Sequence, residues 1–553
     1  MRRLLAALLL GGFGQSLAAV TIDPVSARNN DVLSKKQAQS TAELDKTVAY
    51  AKKRTEQPGG ETAHDDGKKK TAKSAGYSAL YKHFQIDEHS IGYLAVDAAT
   101  GTVLAARQPD GRFIPASAIK APTAIMALNV LGANHRLSTR LYMTGQVSGN
   151  TLDGDLILVG GGDPELFTDD FVPMINALKA RAILKVDGRF IFDNSLFPEA
   201  SAVSDAHDKN VSYNAGVGAL SLNFNRLRLR WIRSDRGIRV TVYSKANRLA
   251  VPIDIVTGGV APLGVRVPGG VVWDTNSAPP RWLISPGVRR SGERWVPVKR
   301  AGFHAAHVFR QFAKTSGIEL PSIMPGRRPA GATLLISHRS GALIQVARRF
   351  LKHSNNVATE IIGQGTTRRA TGRPLTIPQS GAAMAEWFRQ KLPKVNWAGI
   401  RIANHSGLSR NTSISPRQMV AILRWARLQT YAGYSLWDIL KPYRIGYGKA
   451  YAVHTRQQQG GQGALRDLVG SDMPEWMQVR GKTGAINHAR ALAGFMVTRS
   501  RRKIVFAVFI DDDRARSAAV EAGRYFKQLR PKRWSWRARG ILRGILRKWL
   551  LEF

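Results

Sequence analysis

Cysteine is absent from the 553-residue chain. Its stability therefore rests on buried cores and not on disulfides, which suits a bacterial periplasm or cell-wall space better than a disulfide-dense animal secretion. Acidic residues are scarce: 39 Asp and Glu stand against 82 Lys and Arg, a net charge of +43. In a cytosolic protein that surplus would point to nucleic acid. Beside an export signal it points to anionic lipid headgroups, lipopolysaccharide or wall polymers, and no nucleic-acid partner is expected. No apolar run reaches the ~20 residues that span a bilayer as a helix. Neither His-Glu-x-x-His nor Gly-x-Ser-x-Gly occurs, which removes a zinc-peptidase pattern and a Ser-His-Asp nucleophile elbow. No metal or cofactor is expected.

What is present begins with a leader. Met1-Arg2-Arg3 is basic, Leu4 to Gly14 is mostly apolar, and Ser16-Leu17-Ala18 places small residues at the cleavage positions. Residues 1–19 thus read as a signal peptide. Residues 20–78 are polar, low in aromatics and carry Lys68-Lys69-Lys70. Such a stretch buries too little apolar surface to offset chain entropy and reads as a basic low-complexity tether.

Order is expected from near Tyr77. Ile91 to Asp97 and Thr102 to Ala106 flank Ala99-Thr100-Gly101, a hairpin signature. Lys120 to Leu131 is a run of Ala, Ile, Met and Leu that stops at Gly132, the pattern of a buried helix. Strand-like alternation at 156–159, 186–192 and 227–242, punctuated by Gly and Pro, predicts inserted β-rich domains over 141–324. Helices are expected at His304 to Ser316 and Gly341 to His353, and antiparallel strands at 477–484, 491–497 and 504–510. A helix over 515–529 should close a domain made of 79–140 and 325–530. The tail, 531–553, carries seven Lys or Arg and one Glu. Its Leu542, Ile545, Leu546, Trp549, Leu550 and Phe553 fall at helical spacing, which predicts an interfacial helix on an anionic bilayer. Packing on its own domain is the alternative.

Three motifs carry the chemistry, in the order Ser117-Ala118-Ile119-Lys120, Ser354-Asn355-Asn356 and Lys482-Thr483-Gly484. Ser117 is a poor nucleophile unless a base takes its proton. Lys120, at i+3 on the same helical face, is the nearest base. A free lysine is charged near neutral pH, so burial and a second cation, Lys482, must favour the neutral amine. Lys482 would stay charged and, with Thr483, hold a substrate carboxylate. Ser354 and Asn356 suit proton shuttling and positioning of the substrate amide. The backbone N–H groups of Ser117 and Ala485 are natural oxyanion donors.

This motif set is that of penicillin-binding proteins and class A β-lactamases, and the chain resembles the D-alanyl-D-alanine carboxypeptidase/endopeptidase family, the low-molecular-mass class C penicillin-binding proteins. Further likeness lies in Leu152 to Leu156 running into Gly160 to Pro164, in Tyr213-Asn214-Ala215 with Ala219 to Asn223, and in His405 to Arg410. The resemblance implies an α/β (α+β) transpeptidase/β-lactamase-like domain, an antiparallel sheet flanked by helices, with two smaller β-rich domains inserted between the first and second motifs. It also implies cleavage of D-alanyl peptide bonds in peptidoglycan peptides and covalent inhibition by β-lactams. The roles transfer to Ser117 (nucleophile), Lys120 (base), Ser354 and Asn356 (proton relay, substrate amide), and to Lys482 with Thr483 (carboxylate). Asn404-His405 departs from a more usual Asp-Gly, and no role is transferred there. A β-lactamase or esterase on the same fold, or a non-catalytic wall-binding scaffold, are the rival readings.

Overall fold

The computed structural model describes residues 77–443, apart from 206, 266, 268 and 269, together with 445, 478–521 and 532–553. The leader and nearly all of the basic tether lie outside the described residues.

The half that carries the three motifs is built on a five-stranded antiparallel sheet in the order Val103–Arg107, Ile91–Asp97, Lys503–Asp511, Ala489–Val497, Val479–Ile486. Strands from both chain ends thus lie side by side, with Tyr93 opposite Val508 and Lys482 opposite Ala493. The central strand reads Ile504-Val505-Phe506-Ala507-Val508-Phe509-Ile510 without a polar break, because both sheet faces are covered. Val505, Ala507 and Phe509 point into a core shared with the helices Lys120–Val130, Leu343–His353 and Pro416–Ala426. Ile504, Phe506, Val508 and Ile510 point to the opposite side.

That opposite side corrects the reading of the tail. Lys532–Glu552 is a helix, but its apolar stripe is already occupied: Ile541, Ile545, Leu546 and Trp549 are fully buried against the sheet. Trp549 stacks edge-on with Tyr93 and Phe506, and its Nε1 donates to Tyr77 Oη at 3.1 Å. The two glycines that weaken it as a free helix make room for a short helix over 77–84. A Cβ at Gly540 would lie 2.2 Å from the Phe84 ring, and one at Gly544 2.8 Å from Leu80. The amphipathic period is the one expected, and its apolar partner is the protein's own sheet, the alternative reading of the stripe. No helix among the described residues is long and apolar enough to cross a membrane. The helix expected over 515–529 is described only as Asp513–Glu521, where Arg516 alone is buried.

The insert begins and ends in one sheet. Ser138–Met143 and Thr333–Arg339 pair antiparallel within a five-stranded sheet that also holds Leu156–Gly160, Phe190–Asp193 and Ile323–Pro325. The strands on either side of the expected insert, 138–143 and 333–339, are thus tied together in its sheet. A four-stranded sheet around Arg226–Ser234 and a three-stranded sheet around Arg281–Ile284 follow. One hydrophobic cluster joins all of these, including Leu141, Phe190, Leu227, Trp282 and Phe309. Phe309 lies on Ala301–Thr315, so that helix packs within the insert.

Candidate active site

Ser117 stands in a tight turn, Ala116–Ile119, that runs straight into the helix Lys120–Val130. Ala116 holds a left-handed backbone (φ 44°) while fully buried, a strained arrangement that its surroundings must enforce. Two glycines clamp the turn. A Cβ on Gly407 (φ +69°) would lie 1.9 Å from the Ala116 carbonyl oxygen, and one on Gly484 2.1 Å from that of Pro115. The Lys-Thr-Gly strand can reach the Ser117 turn only because its third residue has no side chain.

Lys120 is completely buried. Its Nζ lies 2.8 Å from Ser117 Oγ, 2.7 Å from Asn356 Oδ1 and 2.5 Å from the Ser406 carbonyl oxygen. The amide and peptide oxygens can only accept, whereas the serine hydroxyl can donate. An ammonium donates to all three oxygens; a neutral amine donates to the two carbonyl oxygens and turns its lone pair to the Ser117 hydroxyl. The electrostatics favour the amine. Burial, then the charge of Lys482, drives the Lys120 pKa well below the usual lysine value, against an opposing pull from Glu360.

Ser354 closes the helix Leu343–His353 in a left-handed conformation (φ 55°), and Asn355 caps the next helix by accepting from the Ala358 N–H. That break turns Asn356 inward, where its Nδ2 donates to the Tyr213 carbonyl oxygen of the insert at 3.0 Å. Lys482, on the edge strand, donates to Ser354 Oγ at 3.0 Å and to the Thr483 carbonyl oxygen at 2.7 Å. Burial and then neighbouring Lys441 lower its pKa to about 7. The expectation of a permanently charged Lys482 gives way to a group that titrates near neutrality. Thr483 and Ala485 alternate with it as partly exposed positions of the same strand. Val479 and Gly481, earlier on that strand, pair with Tyr443 and Lys441.

Lys120 and Asn356 are 236 residues apart and Ser354 and Lys482 are 128 apart, yet all three motifs meet in one hydrogen-bonded cluster. A family model described as the D-Ala-D-Ala carboxypeptidase 3 (S13) family matches residues 78–528. The chain belongs to that family. This S13 member is a serine-type DD-peptidase by class. It is 22% identical over 449 residues to the D-alanyl-D-alanine carboxypeptidase DacB of Haemophilus influenzae, covering 76% of this chain and 85% of that one. It is 27% identical over 429 residues to the D-alanyl-D-alanine carboxypeptidase of Actinomadura sp. strain R39, covering 73% and 74%. The crystal structure of penicillin binding protein 4 from Haemophilus influenzae superposes with a TM-score of 0.66 at 20% identity, over 86% of this chain and 99% of that one. The fold is therefore the expected one, a penicillin-binding protein with its long insert.

Two parts of this S13 site escaped the reading of the sequence. Glu360 is fully buried and accepts the backbone N–H groups of His405 and Ser406 at 3.1 and 2.7 Å, fixing the Ser406 carbonyl that Lys120 bonds. The available signal was an acid one helical turn after Asn356 in the apolar run Val357 to Ile362. The second is the segment Asn404 to Gly407, to which no role was assigned. His405 is not a triad member: its Nε2 meets Ser380 Oγ at 2.7 Å, and burial lowers its pKa to about 3. It is a neutral packing histidine.

Proposed function

We propose that the protein is an exported serine DD-peptidase that hydrolyses D-alanyl peptide bonds of peptidoglycan stem peptides through an ester on Ser117. One observation carries the reading: the fully buried Lys120 amine lies 2.8 Å from Ser117 Oγ, with Asn356 Oδ1 and the Ser406 carbonyl oxygen holding it there, in reach of the hydroxyl proton. Lys120 takes the hydroxyl proton as Oγ attacks the D-alanyl carbonyl. The backbone N–H groups of Ser117 and Ala485 receive the oxyanion, each such donor contributing ~10²–10³ in rate. Asn356 aligns the substrate amide. Ser354, bonded to Lys482, passes a proton to the leaving amine, while protonated Lys482 and Thr483 hold the carboxylate beyond it. Water then cleaves the ester.

A β-lactam follows the same path to the ester and stalls there. The Glu360 carboxylate is committed to two backbone N–H groups, so it does not serve as a deacylating base, and a lasting adduct fits better than rapid turnover. The leader over 1–19 and the wall substrate together support a periplasmic location. The test is release of D-alanine from a stem pentapeptide by the purified protein and by Ser117→Ala. Undiminished release by the variant would sink the assignment.

A further inference from the structure

One end of the insert carries positive charge and bare apolar surface together. Arg226–Ser234 and Gly237–Lys245 form a hairpin, with Ile232 opposite Arg239. Its turn is tied to the loop over 285–291. Trp231 Nε1 donates to the Arg290 carbonyl oxygen at 2.8 Å, the Arg233 N–H to Ser291 Oγ at 2.9 Å, and the Arg233 guanidinium to the Val288 carbonyl oxygen at 3.0 Å. A third turn, over 261–265, opens beside that loop, because the Ala261 N–H donates to the Ile284 carbonyl oxygen at 2.9 Å. Three turns distant in sequence thus make one tip.

Arg233, Arg236, Arg239, Arg289 and Arg290 are all exposed there, and none makes an ion pair among the described residues. Asp235 is the one acid in the three turns. Glu293, on the adjoining strand, is already bound to Arg228 at 2.5 Å. Among these cations stand hydrocarbon side chains: Leu263 is 90% exposed, Val265 46% and Ile232 44%. Every other large apolar side chain among the described residues is less than half exposed. Single exposed apolar residues are ordinary, but three on one basic tip make a patch.

We propose that this tip docks the protein on an anionic phospholipid bilayer, with the arginines among the headgroup phosphates and Leu263 and Val265 entering the acyl boundary. Cations set beside exposed apolar side chains are the composition of an interfacial anchor. A second copy of the chain fits worse, since two such tips would face each other with five arginines apiece. A hydrated wall polymer would satisfy the arginines and leave the leucine in water. Arg226, at the other end of the same strand, lines the cleft that starts at Ser354. Eight residues of strand separate it from Ser234, about 27 Å, so the docked molecule keeps that cleft clear of the headgroups. Docking does not depend on the reaction assigned to Ser117.

The chain has no cysteine, so Leu263→Cys accepts a single environment-sensitive dye, with Ala382→Cys, exposed on the other half, as the reference. On vesicles of phosphatidylglycerol and phosphatidylcholine the dye at 263 should shift to the blue and be quenched by lipid-borne nitroxides. The dye at 382 should do neither. Leu263→Asp with Val265→Ser, which removes no cation, should weaken vesicle binding at least ~10-fold, and Arg289→Ser with Arg290→Ser should do the same. Phosphatidylcholine vesicles alone should not bind. Denaturation midpoints and D-alanine release should match wild type in both double variants, and if a midpoint falls the dye decides. A dye at 263 that stays in water on vesicle-bound protein overturns the inference. So does undiminished binding by the Leu263→Asp, Val265→Ser protein, because the attraction is then the diffuse pull of the +43 charge. A lipid-free doubling of mass that this variant abolishes would name a second copy as the occupant, and a matching loss of binding to lipid-free peptidoglycan would name the wall; either overturns the proposal. Wild-type protein that binds vesicles but releases no D-alanine refutes the Ser117 reading and leaves the docking tip standing.

Discussion

Lys482→Met should give a protein that is more stable and far less active. The lysine is 1% exposed, and its pKa falls from 10.5 to about 7 on folding, through burial first and Lys441 second. That fall corresponds to about 5 kcal/mol of destabilisation. The sign follows from which state binds the proton more tightly. Below pH 7 both states are protonated and the whole cost is present. Between pH 7 and 10.5 the unfolded chain holds more protons, so stability rises with pH and the cost disappears. Methionine removes the cost with little change of volume, but loses the bonds to Ser354 Oγ and the Thr483 carbonyl, at about 1–1.5 kcal/mol each. The net gain at pH 6 is roughly 2 kcal/mol, turning into a loss of similar size at pH 10.5. Urea denaturation at the two pH values reads the sign change directly. D-alanine release should drop ~10–100-fold with the loss of a charged carboxylate anchor. A K482M protein less stable than wild type at pH 6 would refute the reasoning.

Glu360→Ala leaves two buried N–H groups unpaired, at about 1–3 kcal/mol each. Penicillin labelling should be lost along with a lower denaturation midpoint, and Glu360→Gln should restore part of both. Gly484→Ala puts a methyl 2.1 Å from the Pro115 carbonyl oxygen, so the edge strand must retreat from Ser117. The acylation rate, followed by stopped-flow with a chromogenic cephalosporin, should fall at least ~10-fold while far-UV circular dichroism is unchanged. Deleting 532–553 uncovers Phe506, Val508 and Met496 and should send the protein into the insoluble fraction. A truncated protein that stays soluble and active would show the helix to be dispensable.

How much of this was legible in the chain depends on range. Lys120 could be read because Ser117 and Lys120 are neighbours on one turn, and its lowered pKa follows from an apolar helix around it. The hairpin at 91–107 was legible from its turn residues and the strands at 479–511 from their short apolar runs, both local signals. Periodicity also revealed the stripe on the last helix, but a stripe does not say what covers it. The sheet face that does so is hidden in the sequence, because strands buried on both sides show no alternation. Glu360 was missed for a related reason: one acid in an apolar run has meaning only once the His405–Ser406 backbone, distant in sequence, is placed against it. The pairing of Ser138–Met143 with Thr333–Arg339 is likewise too distant in sequence to be read locally.

The central claim is that Ser117 is the atom that carries the acyl group. Intact protein incubated with benzylpenicillin, digested and mapped by mass spectrometry, tests it without any assumption about substrate. The account predicts one penicilloyl adduct, on the peptide containing Ser117, absent in Ser117→Ala and slow to decay. A stable adduct on another residue, or none on folded wild-type protein, would contradict it.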